Sequence, residues 1–151
     1  MVGKYSASMI AKWFLAYNRK VMSDGDSEYI SNLKLQKLLY YAQGTYYAIK
    51  DQLLFSEPIV AWRHGPVVET IYHEYKSNGS NGIVFEEEYD FSCVDSETEK
   101  ILEDVYDTFG QYSAWKLRNM THSETPWQNT EINDIINTEL IKDYFLKEYI
   151  E

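Results

Sequence analysis

The stretch Ile30–Ile49, ISNLKLQKLLYYAQGTYYAI, constrains this chain more than any other. At about 100° per residue, Leu35, Leu38, Leu39, Ala42, Tyr46 and Ile49 fall on one arc, which predicts a core-facing helical stripe. A second flank carries Tyr40 and Tyr47 beside Gln36 and Gln43, and a third carries Tyr41, Gly44 and Ala48. Small residues at i,i+4 let a neighbouring helix approach closely. Only Lys34 and Lys37 are expected to reach water. With Ser31 as N-cap, Ile30 can staple onto Leu35. A helix apolar over most of its circumference is surrounded by other elements, so this one is expected at the centre of a single domain.

The flanking sequence supplies the surrounding helices. Ser6–Lys20 reads as a first helix with Ser6 or Ser8 as cap, repeating Ile10, Trp13 or Phe14, and Tyr17. Ser23–Tyr29 is a turn whose acids, Asp24, Asp26 and Glu28, lack the later glycine and bidentate glutamate of a calcium loop. Leu53–Trp62 reads as extended, because Pro58 blocks a helix and Ile59 and Val60 are β-branched. Pro66 is expected at the first position of a helix over Val67–Ser77, where its missing N–H costs nothing. Ile83–Phe85 is expected to pair with Ile59–Ala61 as a small two-stranded element. Ser96-Glu97-Thr98-Glu99 reads as a capping box for a helix over Glu97–Phe109. Ser113 caps a helix over Ala114–Thr121, Pro126 ends a turn at His122–Trp127, and a last helix begins at Asn137 or Thr138 and runs to Tyr149. The expected fold is mainly α, with six or seven helices around a central one at about 31–49 and a small two-stranded β element.

Composition narrows the function. One domain of 151 residues buries enough surface to need no covalent staple. A single cysteine, Cys93, excludes an internal disulfide and a multi-thiolate zinc site. No signal-peptide pattern and no long apolar run are present, so the expected location is cytoplasmic, without membrane association. The net charge of −10 is uneven: residues 1–50 carry +4 and residues 86–107 carry −9. Such a chain is poorly suited to binding nucleic acid directly and better suited to a basic protein partner. Fourteen tyrosines and four tryptophans serve equally as core and as interface anchors.

Chemically capable residues gather in Trp62–Pro66, His73 and Thr121–Trp127. His64, His73 and His122 with Glu69, Glu74 or Glu124 show no HExxH and no i,i+4 histidine pair, so no metal is expected. Cys93 has no nucleophile signature around it. The structural reading of His64 is a turn residue bonding the backbone. That of His122 is a helix C-terminal residue, with Glu124 bonded to it or tying down the turn. Trp62 and Trp127 read as core or lid residues.

Three blocks carry a family resemblance. They are Leu33–Gly44 (LKLQKLLYYAQG), Ile59–Val68 (IVAWRHGPVV) followed by Tyr72, and Tyr112–Leu117 (YSAWKL) followed by Thr121–Trp127 (THSETPW). In this order they resemble the Panacea-domain family of SocA-like and GepA-like antitoxins. The resemblance implies a helical domain that neutralises a toxin, encoded next door, by direct binding. One SocA-like branch instead delivers its toxin to a bacterial protease. Some members add a DNA-binding domain, for which this chain is expected to have no room, so residues 1–151 read as one domain. No catalytic residue and no cofactor is implied. The candidate toxin-interface residues are Tyr40, Tyr47, Trp62, Arg63, His64, Tyr112, Trp115, His122, Glu124 and Trp127. The alternatives are a proteolytic adaptor, and a metal-dependent or His/Glu hydrolase using His64, His122 and Glu124.

Overall fold

A computed structural model describes residues 2–23 and 28–150. Seven α-helices appear among them: α1 (Ala7–Met22), α2 (Asn32–Lys50), α3 (Glu69–Tyr75), α4 (Ser96–Phe109), α5 (Ala114–His122), α6 (Thr125–Gln128) and α7 (Thr138–Glu148). Strands β1 (Val60–Trp62) and β2 (Gly65–Val67) form one antiparallel hairpin. Asp24 and Asp26 lie outside the described residues. No described helix is long and apolar enough to cross a membrane.

The expected central helix is central. Helix α2 packs against α1, α3, α4, α5, α7 and β2. Ser31 caps it, its hydroxyl accepting from the Lys34 N–H. Leu35, Leu38, Leu39, Tyr40, Tyr41 and Ala42 are wholly buried, so the apolar stripe extends around the helix as its composition predicts. The small-residue flank does what its size allows: Gly44 lies against the Phe145 ring of α7. Ile49 is the exception in the stripe, half exposed in the last turn. Lys37 departs further from expectation and is wholly buried.

The buried polar groups of α2 organise the irregular segment that follows it. Gln43 donates to the Phe55 carbonyl and accepts from the Leu54 N–H, both at 2.7 Å. Gln36 accepts from the Val68 N–H at 2.9 Å. Asn32 donates to the Tyr72 carbonyl at 3.0 Å and Lys37 to the Pro66 carbonyl at 3.1 Å. A non-repetitive backbone buried against a helix needs such partners, because an unpaired buried carbonyl or N–H is costly.

Four sequence-based assignments are corrected. Pro66 lies in β2 opposite Ala61, not at the start of a helix, and α3 begins only at Glu69. The hairpin itself is the two-stranded element: β1 pairs with β2 across the Arg63–His64 turn, whereas the Ile83 N–H bonds the Ile30 carbonyl and Gly82 bridges Ser31. Gly65, at φ +115°, takes the backbone conformation that this tight turn requires. The cap of α4 is Asp95, whose carboxylate accepts from the Thr98 N–H, and Glu99 instead accepts from the Trp13 indole at 3.4 Å. Pro126 sits in the first turn of α6 and starts a short helix where a turn was expected.

Candidate functional site

The hairpin turn and the α5–α6 corner meet above α2. Ser113 caps α5 and positions Trp115, Arg118 and His122 along one side of it. The Trp127 indole N–H donates to the Trp62 carbonyl at 2.8 Å, which ties the corner to β1. The His122 ring stacks on Trp127, centroids 4.2 Å apart. Trp62 meets Tyr72 edge-on at 4.8 Å, and its indole N–H donates to Glu69 at 3.1 Å. Arg63 and Trp115 are exposed, and the Arg118 guanidinium lies 4.6 Å from the centre of the Trp115 ring.

Beneath this corner lies a floor of nitrogen bases, Lys37, His64 and His122. A Cβ added to Gly65 would meet both Lys37 Cε and Thr121 Oγ1 at 2.8 Å, so hairpin, central helix and α5 are in close contact there. Burial pushes the Lys37 ammonium down to about 7, with the Arg118 charge adding to the shift. His64 is also lowered, first by burial and then by the charges of Lys37 and Arg118. His122 is lowered by burial and by Arg118, against a hydrogen bond to the Arg63 backbone that favours its protonated form. His64 Nδ1 and His122 Nε2 are buried and have no hydrogen-bond partner among the described residues.

Glu124 faces the other way. It is 2% exposed, and its carboxylate accepts from Tyr40 at 2.8 Å, Tyr41 at 2.9 Å and Tyr149 at 2.5 Å. Burial raises its pKa and the three phenols oppose the rise. None of these bonds goes to His122, so of the two expected alternatives the His122–Glu124 bond is not formed and Glu124 instead ties the α5–α6 corner to α2 and Tyr149, and the His64, His122 and Glu124 set does not share one acid–base site. No group of three His, Cys, Asp or Glu side chains among the described residues is placed to hold a metal ion.

The structure therefore divides the sequence-derived candidates. Trp62, Arg63, His64, His122 and Trp127 come together, with Trp115 on the adjoining side of α5. Tyr40 and Glu124 pair in the interior, and Tyr47, 4% exposed, bonds Glu139. Tyr112 is half-buried in the α4–α5 connection. Sequence reasoning missed Lys37 and Arg118. The signal for Lys37 was its place in line with Tyr41, Gly44 and Ala48, the flank expected to be covered.

The family model for the SocA-like antitoxin Panacea domain matches residues 35–128, from the first core leucine of α2 to the end of α6. The chain belongs to this family. Its match to antitoxin SocA of Caulobacter vibrioides is 42% identical over 55 residues, 36% of this chain and 29% of that protein. The chain thus matches less than a third of its relative's length. No solved structure matches. The matched Panacea region holds the hairpin, the three clustered tryptophans, Lys37 and the Glu124 carboxylate.

Proposed function

We propose that this protein is an antitoxin, a single cytoplasmic Panacea-like domain that neutralises a cognate toxin encoded beside it by direct protein–protein binding. Family membership over residues 35–128 is the observation that supports this reading. The hairpin–α5 corner supplies a physical means. Its exposed Trp115 and half-buried Trp62 and Trp127 are the residue types that anchor specific interfaces, and Arg63 and Arg118 add planar donors. Binding acts by covering the toxin's working surface or holding it in an inactive form, with no chemical step by the antitoxin. A specific complex of this kind buries roughly 1,200–2,000 Å² in total.

Co-expression with the product of the adjoining gene tests the reading. Growth should be rescued, and the two proteins should co-purify as a stoichiometric complex with the toxin intact. Continued toxicity, with no complex recovered, overturns the proposal.

A further inference from the structure

The hairpin–α5 corner gathers basic side chains on an acidic molecule. The chain carries −10 overall, yet Arg63 and Lys116 are exposed here and Arg118 covers the exposed Trp115. The four ion pairs among the described residues involve Lys4, Lys12, Lys50 and Lys142, all elsewhere. Among the described residues, the hydrogen-bond acceptor of the Arg118 guanidinium is a neutral one, the Asn119 side-chain oxygen at 3.2 Å. Of the carboxylates bordering the corner, Glu69 accepts from the Trp62 indole and keeps its charge, and the exposed Glu131 and Asp134 lie in the segment bonded to β1 on the far side of the hairpin from α5. Below the surface, Lys37, His64 and His122 are close enough to act on one another electrostatically, and two imidazole nitrogens lack partners. Burial holds these three groups toward their neutral forms, so the positive charge of the corner is that of Arg63, Lys116 and Arg118 at its surface. The acidic stretch at 86–107 suits a basic partner, whereas these three exposed or half-buried basic side chains suit an acidic one.

We propose that the toxin docks here through an acidic segment, its carboxylates pairing with Arg63 of the hairpin turn and with Arg118 beside the Trp115 ring. This rests on the antitoxin reading and specifies the contact chemistry. Arg118 is already held over Trp115, so little side-chain freedom is lost when a carboxylate arrives. The planar guanidinium also suits bidentate carboxylate pairing.

The test measures affinity for the purified product of the adjoining gene by calorimetry. It uses the wild-type protein, the double variant Arg63→Glu/Arg118→Glu, and Glu86→Lys/Glu88→Lys on the exposed acidic stretch. Circular dichroism and thermal melting confirm folding of each. The arginine reversal should weaken binding at least tenfold, and raising salt from 50 to 300 mM should weaken the wild-type complex while affecting the arginine variant less. The Glu86/Glu88 reversal should leave affinity within about twofold. Unchanged affinity in the folded arginine variant, or loss confined to the Glu86/Glu88 variant, overturns the docking proposal and leaves the antitoxin reading standing. Absence of a wild-type complex overturns both.

Discussion

Gly44 and Phe145 are in van der Waals contact with no room for a methyl group between them: a Cβ on Gly44 would lie 2.5 Å from two carbons of the Phe145 ring. The close approach of α2 and α7 depends on this absence. Phe145 is itself wholly buried and packs against Tyr40, Tyr41 and Tyr149, so it cannot simply swing aside. Gly44→Ala should therefore destabilise the protein by about 1–3 kcal/mol despite its better helix propensity, as overpacked cores do. Urea unfolding measures this. Phe145→Leu in the same background should recover part of the loss, and full additivity of the two substitutions would sink the explanation.

Lys37 should make stability rise with pH. Its folded-state pKa of about 7 lies below the unfolded 10.5, so between these values the unfolded chain binds more protons. The cost of carrying the buried charge is fully present below pH 7 and is relieved as pH climbs toward 10. A shift of this size corresponds to something on the order of 5 kcal/mol. Lys34, also lowered by burial, contributes in the same direction. Lys37→Met should flatten most of the climb in urea midpoint between pH 7 and 9.5. A parallel climb in the variant would show that another group is responsible.

Much of the fold was legible because helix period, caps and small residues are local signals. Ser6, Ser31 and Ser113 each cap the helix expected of them, and the last helix begins at Thr138, one of the two starts expected. The hairpin was not legible, because its strands have three residues each and Pro66 reads equally well as a helix start. Its shape is imposed from outside. Ala61 bonds the Asp134 and Asn133 backbones, and Ile136 bonds the Ile59 carbonyl, so a segment 70 residues away completes it. For the candidate site, the aromatic and basic residues could be named but not the burial of Lys37 or the inward turn of Glu124. Both depend on which side chains lie opposite in three dimensions.

Glu124 should tolerate glutamine far better than alanine. Alanine leaves the buried Tyr40 and Tyr41 hydroxyls without their acceptor, a loss of roughly 2–5 kcal/mol for charge-assisted bonds in the interior. Glutamine retains an acceptor oxygen. The folded-state pKa of Glu124 is raised, so its contribution is fully present below about 4.5, the unfolded value, and is lost as pH rises through the folded value. Glu124→Gln should therefore gain on the wild type as pH rises above about 4.5. Equal destabilisation by the two substitutions would show that a neutral acceptor cannot replace the carboxylate for these phenols, against the prediction.

The start of α4 offers a test with two adjacent residues predicted to behave differently. Asp95 accepts from the Thr98 N–H at 2.8 Å and is paired with Lys4. Asp95→Ala removes the cap and should cost about 1 kcal/mol. Ser96, exposed at the first helical position, makes no capping bond, and Ser96→Ala should stay within about 0.5 kcal/mol. The bond from Lys4, followed by that from Thr98, holds the Asp95 carboxyl well below the usual range. Its contribution is therefore present above about pH 4, the ordinary unfolded value, and disappears only as acid passes the folded one. The Asp95→Ala deficit in urea midpoint should accordingly be steady from pH 5 to 8 and shrink below pH 4. If Ser96→Ala costs more than Asp95→Ala, the helix begins one residue later, with Ser96 and Glu99 forming the reciprocal cap that their spacing first suggests.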